Sequence, residues 1–179
     1  FTYPVLKELR VQMIRLNLYW GGKVGVARSR PVDGADPADP AYDWSPYDRV
    51  VQNAAKNGIK VLFSVYGTPG WANGGLGLNH VPTNPAELEK FAYAAAKRYS
   101  GKYAAADGTL LPPVRYWVAW NEPNNPVFLA PQYRKVKGKW VVQSAIDYTK
   151  ICNAVYNGVH KTLISSEKVG CGVTAPRGN

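Results

Sequence analysis

The sequence is poor in the residues that most often build metal and redox sites: two cysteines, two histidines and one methionine in 179 residues. Cys152 and Cys171 lack C-x-x-C spacing, and two are too few for a disulfide framework, so they read as buried free thiols, with a single disulfide between them as the alternative. His80 and His160 have no H-x-x-x-H partner, so the pattern holds no metal site. Long apolar runs are missing as well. None approaches the ~18 residues that a membrane span needs.

Acids are scarce: 12 Asp and Glu stand against 22 Lys and Arg, for a formal charge of +10. The bases are scattered, and the one dense run, Arg134-Lys135-Val136-Lys137-Gly138-Lys139, reads as an exposed, solvated loop. No zinc-finger or RNA-binding motif accompanies the charge, so it bears on solubility more than on a nucleic-acid partner. Gly74-Gly75-Leu76-Gly77 lacks the Lys-Ser/Thr of a phosphate loop and reads as flexible. The chain opens on Phe1 with no charged or apolar leader, which is read as a targeting segment removed or not included.

What the sequence does contain is a folded domain's composition, 46% hydrophobic and only 19% charged. A single domain of this size buries roughly 70% of its unfolded surface. Pro4 to Leu9 reads as the tail of a helix. Val11 to Trp20 alternates with the period of a strand, Ile14, Leu16 and Leu18 on one face and Met13, Arg15 and Asn17 on the other. Ser45-Pro46-Tyr47-Asp48 starts a helix that Gly58 stops, and Ile59 to Tyr66 is the next strand. Asn84-Pro85 starts a second helix, with Leu88, Phe91, Ala92, Ala95 and Tyr99 on one stripe, ending at Gly101. Val114 to Glu122 reads as a strand, Ser144 and Asp147 open a third helix, and Val169 to Thr174 reads as a fourth strand. Alternating strands and helices predict a parallel α/β architecture. Two forms compete: part of a (β/α)8 barrel, or an open doubly wound sheet.

In either form, sites gather at the carboxyl ends of the strands. Arg15 and Asn17 near Trp20, Thr68 to Trp71, Asn121-Glu122, and Thr174 to Arg177 all fall there. Glu122 sits in a partly apolar, rigid setting between Trp120, Asn121 and Pro123. Neighbours in a regular strand point to opposite faces, so Asn121 and Glu122 share a site only if the strand ends or bulges there.

Trp120-Asn121-Glu122-Pro123-Asn124, preceded by Tyr42-Asp43-Trp44-Ser45 and by Gly58-Ile59-Lys60-Val61-Leu62 running into Thr68-Pro69-Gly70-Trp71, resembles the retaining glycoside hydrolases of the large (β/α)8 superfamily, whose fourth strand ends in Asn-Glu-Pro. The resemblance implies a partial TIM barrel over residues 1–179, about strands 2 to 5 and truncated at both ends. It implies an O-glycosyl hydrolase acting on a polysaccharide or oligosaccharide by double displacement, with no cofactor, secreted or in the cell envelope. Glu122 then matches the acid/base, Asn121 the residue that holds the sugar 2-hydroxyl, and Arg15 the arginine beside the nucleophile. Asn17, Asn124 and the rings of Trp20, Trp44, Trp71 and Trp120 are the candidate sugar contacts. The nucleophile itself is not legible: Glu87, Glu89 and Asp147 read as helix-start charges, and Asp33, Asp36 and Asp39 lie in a Pro-rich loop. The chain alone is therefore expected to be inactive. The alternative reading is a carbohydrate-binding protein that keeps the cleft without the chemistry.

Overall fold

The computed structural model describes residues 2–176. Helix α1 (Thr2–Glu8) leads into strand β1 (Met13–Tyr19), and α2 (Ser45–Lys56) into β2 (Lys60–Tyr66). A single turn, α3 (Gly70–Asn73), and the long α4 (Pro85–Arg98) precede β3 (Tyr116–Ala119). Strands β4 (Tyr133–Val136) and β5 (Lys139–Val142) come next, then α5 (Gln143–His160) and β6 (Lys168–Gly170).

Strand order decides between the two architectures. The main sheet runs β1-β2-β3-β6, every pair parallel. A doubly wound sheet reverses its order at a switch point and takes helices on both faces. Here the order only advances. Helix-facing residues Val61, Phe63, Val65, Trp117 and Ala119 are buried, while Arg15 on the opposite face is exposed and Asn17 and Leu62 are partly so. One face covered and one concave face open is the geometry of part of a (β/α)8 barrel, whose strands fill a common interior.

Local signals account for most element ends. Asn84 caps α4 through its side chain, accepting from the Ala86 amide at 3.1 Å, as its sequence context predicts. Helix α2 begins one residue earlier than a Ser45 cap implies: Trp44 holds the cap position, and the Asp43 carboxylate accepts from both the Ser45 amide and its hydroxyl. The basic run is no loop. Arg134 and its neighbours pair with Lys139–Val142 in an antiparallel hairpin whose two-residue turn, Lys137-Gly138, has φ of 48° and 80°. Positive φ at both central positions matches the strand twist, and glycine at the second supplies it without steric cost. The strand expected over Val114–Glu122 is shorter, because the chain leaves the sheet at Trp120.

The cysteines also depart from expectation. Cys152 on α5 and Cys171 just past β6 form a disulfide, their Cα atoms 6.0 Å apart. Residue spacing alone could not place them together; it is the return of the chain from α5 onto the β3 edge that does so. Helices α4 and α5 pack closely through Gly158, where an added Cβ would lie 2.3 Å from the Glu89 carbonyl oxygen and 2.8 Å from the Ala92 Cβ.

Two outcomes follow from this packing. Gly158→Ala forces the helices apart and is expected to cost about 1–3 kcal/mol in chemical denaturation; unchanged stability would mean the helices separate freely. Removing the disulfide, which joins residues 19 apart, is expected to cost on the order of 3 kcal/mol, read as a melting temperature lower by roughly 5–10 °C.

Candidate active site

Trp120 is the first residue off strand β3. Its amide still donates to the Val65 carbonyl, its ring is fully buried against Tyr66 at 4.8 Å, and its Nε1 donates to the Phe128 carbonyl at 2.6 Å. With both ends of the residue held, the backbone is bent to φ 69°, and Glu122 follows at φ 39°. Such angles are rare for large side chains and cost of order 1–3 kcal/mol each. Their consequence is directional: the strict alternation of the strand ends, so Asn121 and Glu122 no longer need to face opposite sides. The break that the Asn-Glu pair requires is present.

Arg15 holds the centre of the site. Its Nε donates to Ser64 Oγ at 2.7 Å and its Nη2 to Asn121 Oδ1 at 2.7 Å, linking β1, β2 and the turn after β3. Arginine has only donors, so the oxygen of the Asn121 amide must face it. The Asn121 Nδ2 donors are left for another acceptor. Glu122 is partly exposed, and its Oε2 accepts a long 3.4 Å bond from Asn125 Nδ2. The turn is fixed from below by the Asn125 amide, which donates to the Glu122 carbonyl at 2.9 Å.

Asn17 lies on the same concave face, in register with Ser64. Asn124 is engaged in a clamp: its Nδ2 donates to the Ala175 carbonyl and its Oδ1 accepts from the Ala175 amide, which ties the segment after β6 to the turn and leaves one N–H of the amide for another acceptor. That segment is also held by Tyr148, whose hydroxyl donates to the Ala119 carbonyl and accepts from the Gly172 amide. Burial pushes the Tyr148 hydroxyl pKa up. Arg177, grouped with Thr174 in the sequence, lies outside the described residues.

The tryptophans divide. Trp20 and Trp44 are 1% and 4% exposed, stacked on Phe91 with centroids 5.7 Å away in each case, so these rings are core and offer no platform. Trp120 is core as well. The composition of the strand ends concealed this, because a buried aromatic layer and a sugar platform use the same residue type. Trp71 stays partly exposed, edge-on to Trp20 and with the Arg30 guanidinium 5.7 Å from its ring.

Sequence reasoning missed Ser64, the anchor of Arg15. Its signal was available: a hydroxyl in the middle of the apolar run Lys60–Tyr66, at 0% exposure, needs a partner. No other carboxylate joins the group among the described residues. Asp48 pairs with Arg98, Glu87 with Lys90, Glu89 with Lys161 and Asp147 with Lys150, and Asp39 accepts from three backbone amides. Nor do three His, Cys, Asp or Glu side chains gather as metal ligands among those residues. No described helix is long and apolar enough to cross a membrane.

No protein-family model matches the chain, and no curated protein matches it. Solved structures do. A glucosidase from Croceicoccus marinus superposes with a TM-score of 0.66 at 17% identity, over 94% of this chain and 31% of that one. The GH39 enzyme from Xanthomonas axonopodis pv. citri gives 0.65 at 20% identity, over 97% and 31%. The fold is that of part of a (β/α)8 barrel. A family 1 β-glucosidase from Thermotoga maritima gives 0.54 at 14% identity, over 94% and 36%. The chain thus spans about a third of the length of these structures.

The bridge built by Arg15 is testable without turnover. A lysine ammonium lacks the planar fork that reaches two acceptors at once. Arg15→Lys is expected to shift and broaden the Asn121 side-chain amide signals in NMR, with a stability loss of no more than about 1 kcal/mol because the bridge is exposed at one end. Unperturbed Asn121 signals would show that Arg15 does not orient it.

Proposed function

We propose that this chain carries the acid/base half of a glycoside hydrolase that cleaves O-glycosidic bonds of a polysaccharide or oligosaccharide by a retaining double displacement. One observation carries the reading. Arg15 donates to Asn121 at the carboxyl ends of parallel strands, and Glu122 is the next residue of the same turn, in a fold shared with solved glycosidases. A carboxyl, a neutral amide with free donors and a cation are the parts that glycosyl transfer needs on one side of a sugar ring.

The roles follow from the chemistry of each group. Glu122 donates its proton to the glycosidic oxygen as the C–O bond breaks, and in the second step takes a proton from the water that attacks the glycosyl-enzyme. The Asn121 Nδ2, turned outward by Arg15, donates to the sugar 2-hydroxyl. Arg15 keeps further donor capacity toward the nucleophile, a carboxylate that has to lie about 5–5.5 Å from Glu122 for retention. No described carboxylate is bonded to Arg15 or Asn121, and the nucleophile is assigned to chain beyond these residues. An extracellular or envelope location fits the Cys152–Cys171 disulfide, since such bonds persist in oxidising compartments.

Two measurements check this. The 179-residue chain is expected to release no nitrophenol from aryl glycosides; turnover abolished by Glu122→Gln would place both carboxylates inside it. In the protein carrying the remaining strands, Glu122→Gln is expected to lower kcat/KM about 10²–10⁴-fold for substrates with an alkyl leaving group. The loss should be much smaller for nitrophenyl glycosides, whose leaving group departs without a proton. Equal losses on both substrates would refute the acid/base role.

A further inference from the structure

The β4–β5 hairpin is chemically unlike the rest of the surface. Its ten residues, 133–142, include Arg134, Lys135, Lys137 and Lys139 and no acid. All four cations are exposed, and none forms an ion pair among the described residues. Beside them Trp140 is 69% exposed. Cross-strand register places Lys135 directly opposite Trp140, so both stand on one face, and the Lys135 Nζ lies 5.8 Å from the Trp140 ring centroid. An indole left in water and a row of unpaired like charges both oppose folding modestly and add nothing to the core. Their common use is recognition: an aromatic face for a flat apolar surface and cations for anions attached to it.

The hairpin is also fixed relative to the candidate site. Gln132, at its foot, donates through Nε2 to the carbonyls of Pro123 and Leu129, at 3.0 and 2.6 Å, while its own carbonyl accepts from the Ser144 amide at 3.2 Å. Pro123 follows Glu122 directly. Between foot and turn lies a cavity of about 220 Å³ lined by Pro123, Asn124, Val142 and Tyr148 among others. Val142, two residues from Trp140, and Pro123, next to Glu122, thus border the same groove.

We propose that this hairpin is a binding platform for an acidic glycan, a chain whose sugar rings stack on Trp140 while their carboxylate or sulfate groups meet Lys135 on the same face and Lys137 at the turn. The inference rests on the glycosidase reading above and gives its substrate a charge. A neutral glycan satisfies the indole but leaves the cations solvated; charge complementarity selects the acidic one.

Equilibrium binding tests it, using the 179-residue chain with polygalacturonate, a sulfated galactan and a neutral β-glucan of matched length, and with a single-stranded oligonucleotide and phosphatidylserine vesicles as other polyanions. At least one acidic glycan is expected to bind about tenfold or more tightly than the neutral one, and to weaken about fivefold or more between about 50 and about 300 mM salt. Trp140→Ala is expected to weaken it roughly fivefold. Combined Lys135→Gln and Lys137→Gln should remove the preference. Because these residues are exposed and add nothing to the core, the melting temperature should not fall. Which acidic glycan wins names the anion, carboxylate or sulfate, and either supports the proposal. Equal binding of neutral and acidic glycans overturns it and leaves the glycosidase reading intact. Oligonucleotide or vesicle binding as tight as the glycans' also overturns it, reducing the hairpin to an unselective polycation. Failure to bind any glycan overturns both readings.

Discussion

The burial of Trp120 is the constraint on which the site depends. Its indole is fully enclosed, its Nε1 is bonded to Phe128 and its amide is still in the ladder to Val65. A residue held at three points cannot relax its backbone, and the left-handed turns at Trp120 and Glu122 are the result. Large side chains avoid that conformation unless surrounding contacts over-determine it. Here they do, and the strain goes into geometry: Asn121 and Glu122 leave the strand together at its carboxyl end. A rigid turn matters because a proton donor must stay within hydrogen-bond reach of its acceptor through the reaction.

The Arg15 bridge supplies the second half of the arrangement by crossing three strands. Strand β1 contributes the guanidinium, β2 the Ser64 hydroxyl and the β3 turn the Asn121 oxygen. Parallel register makes this possible, since Asn17 and Ser64 are opposite each other and Arg15 reaches one step diagonally. The covering layer is aromatic. Phe91 on α4 lies between the rings of Trp20 and Trp44, and the Trp44 ring also carries the Arg98 guanidinium at 5.6 Å. That stack ties the loop before α2 to the helix behind the sheet, so the strand ends rest on a solid support.

Much of this was legible in the chain of residues alone. Parallel strands and three crossover helices follow from apolar periodicity and from punctuation at Asn84, Pro46 and Gly58, and the Asn-Glu turn was visible as an apolar strand ending on a carboxylate before proline. What was not legible shares a physical character: it depends on long-range placement. Trp20, Trp44 and Trp120 look the same in sequence whether they face solvent or core. Cys152 and Cys171 pair only because α5 returns the chain to the sheet. The hairpin was missed for another reason. Lys137-Gly138 is a turn signal flanked by β-branched and aromatic residues, and the weight of charge around it obscured the alternation.

The most direct test of the central claim is a crystal structure of the chain with a short glycan bound. The expected result is a glycosidic oxygen within about 2.6–3.2 Å of a Glu122 carboxyl oxygen, with the 2-hydroxyl of the adjoining sugar on Asn121 Nδ2. A glycan bound away from the concave face, with Glu122 and Asn121 untouched, would contradict the assignment of this turn as the acid/base centre.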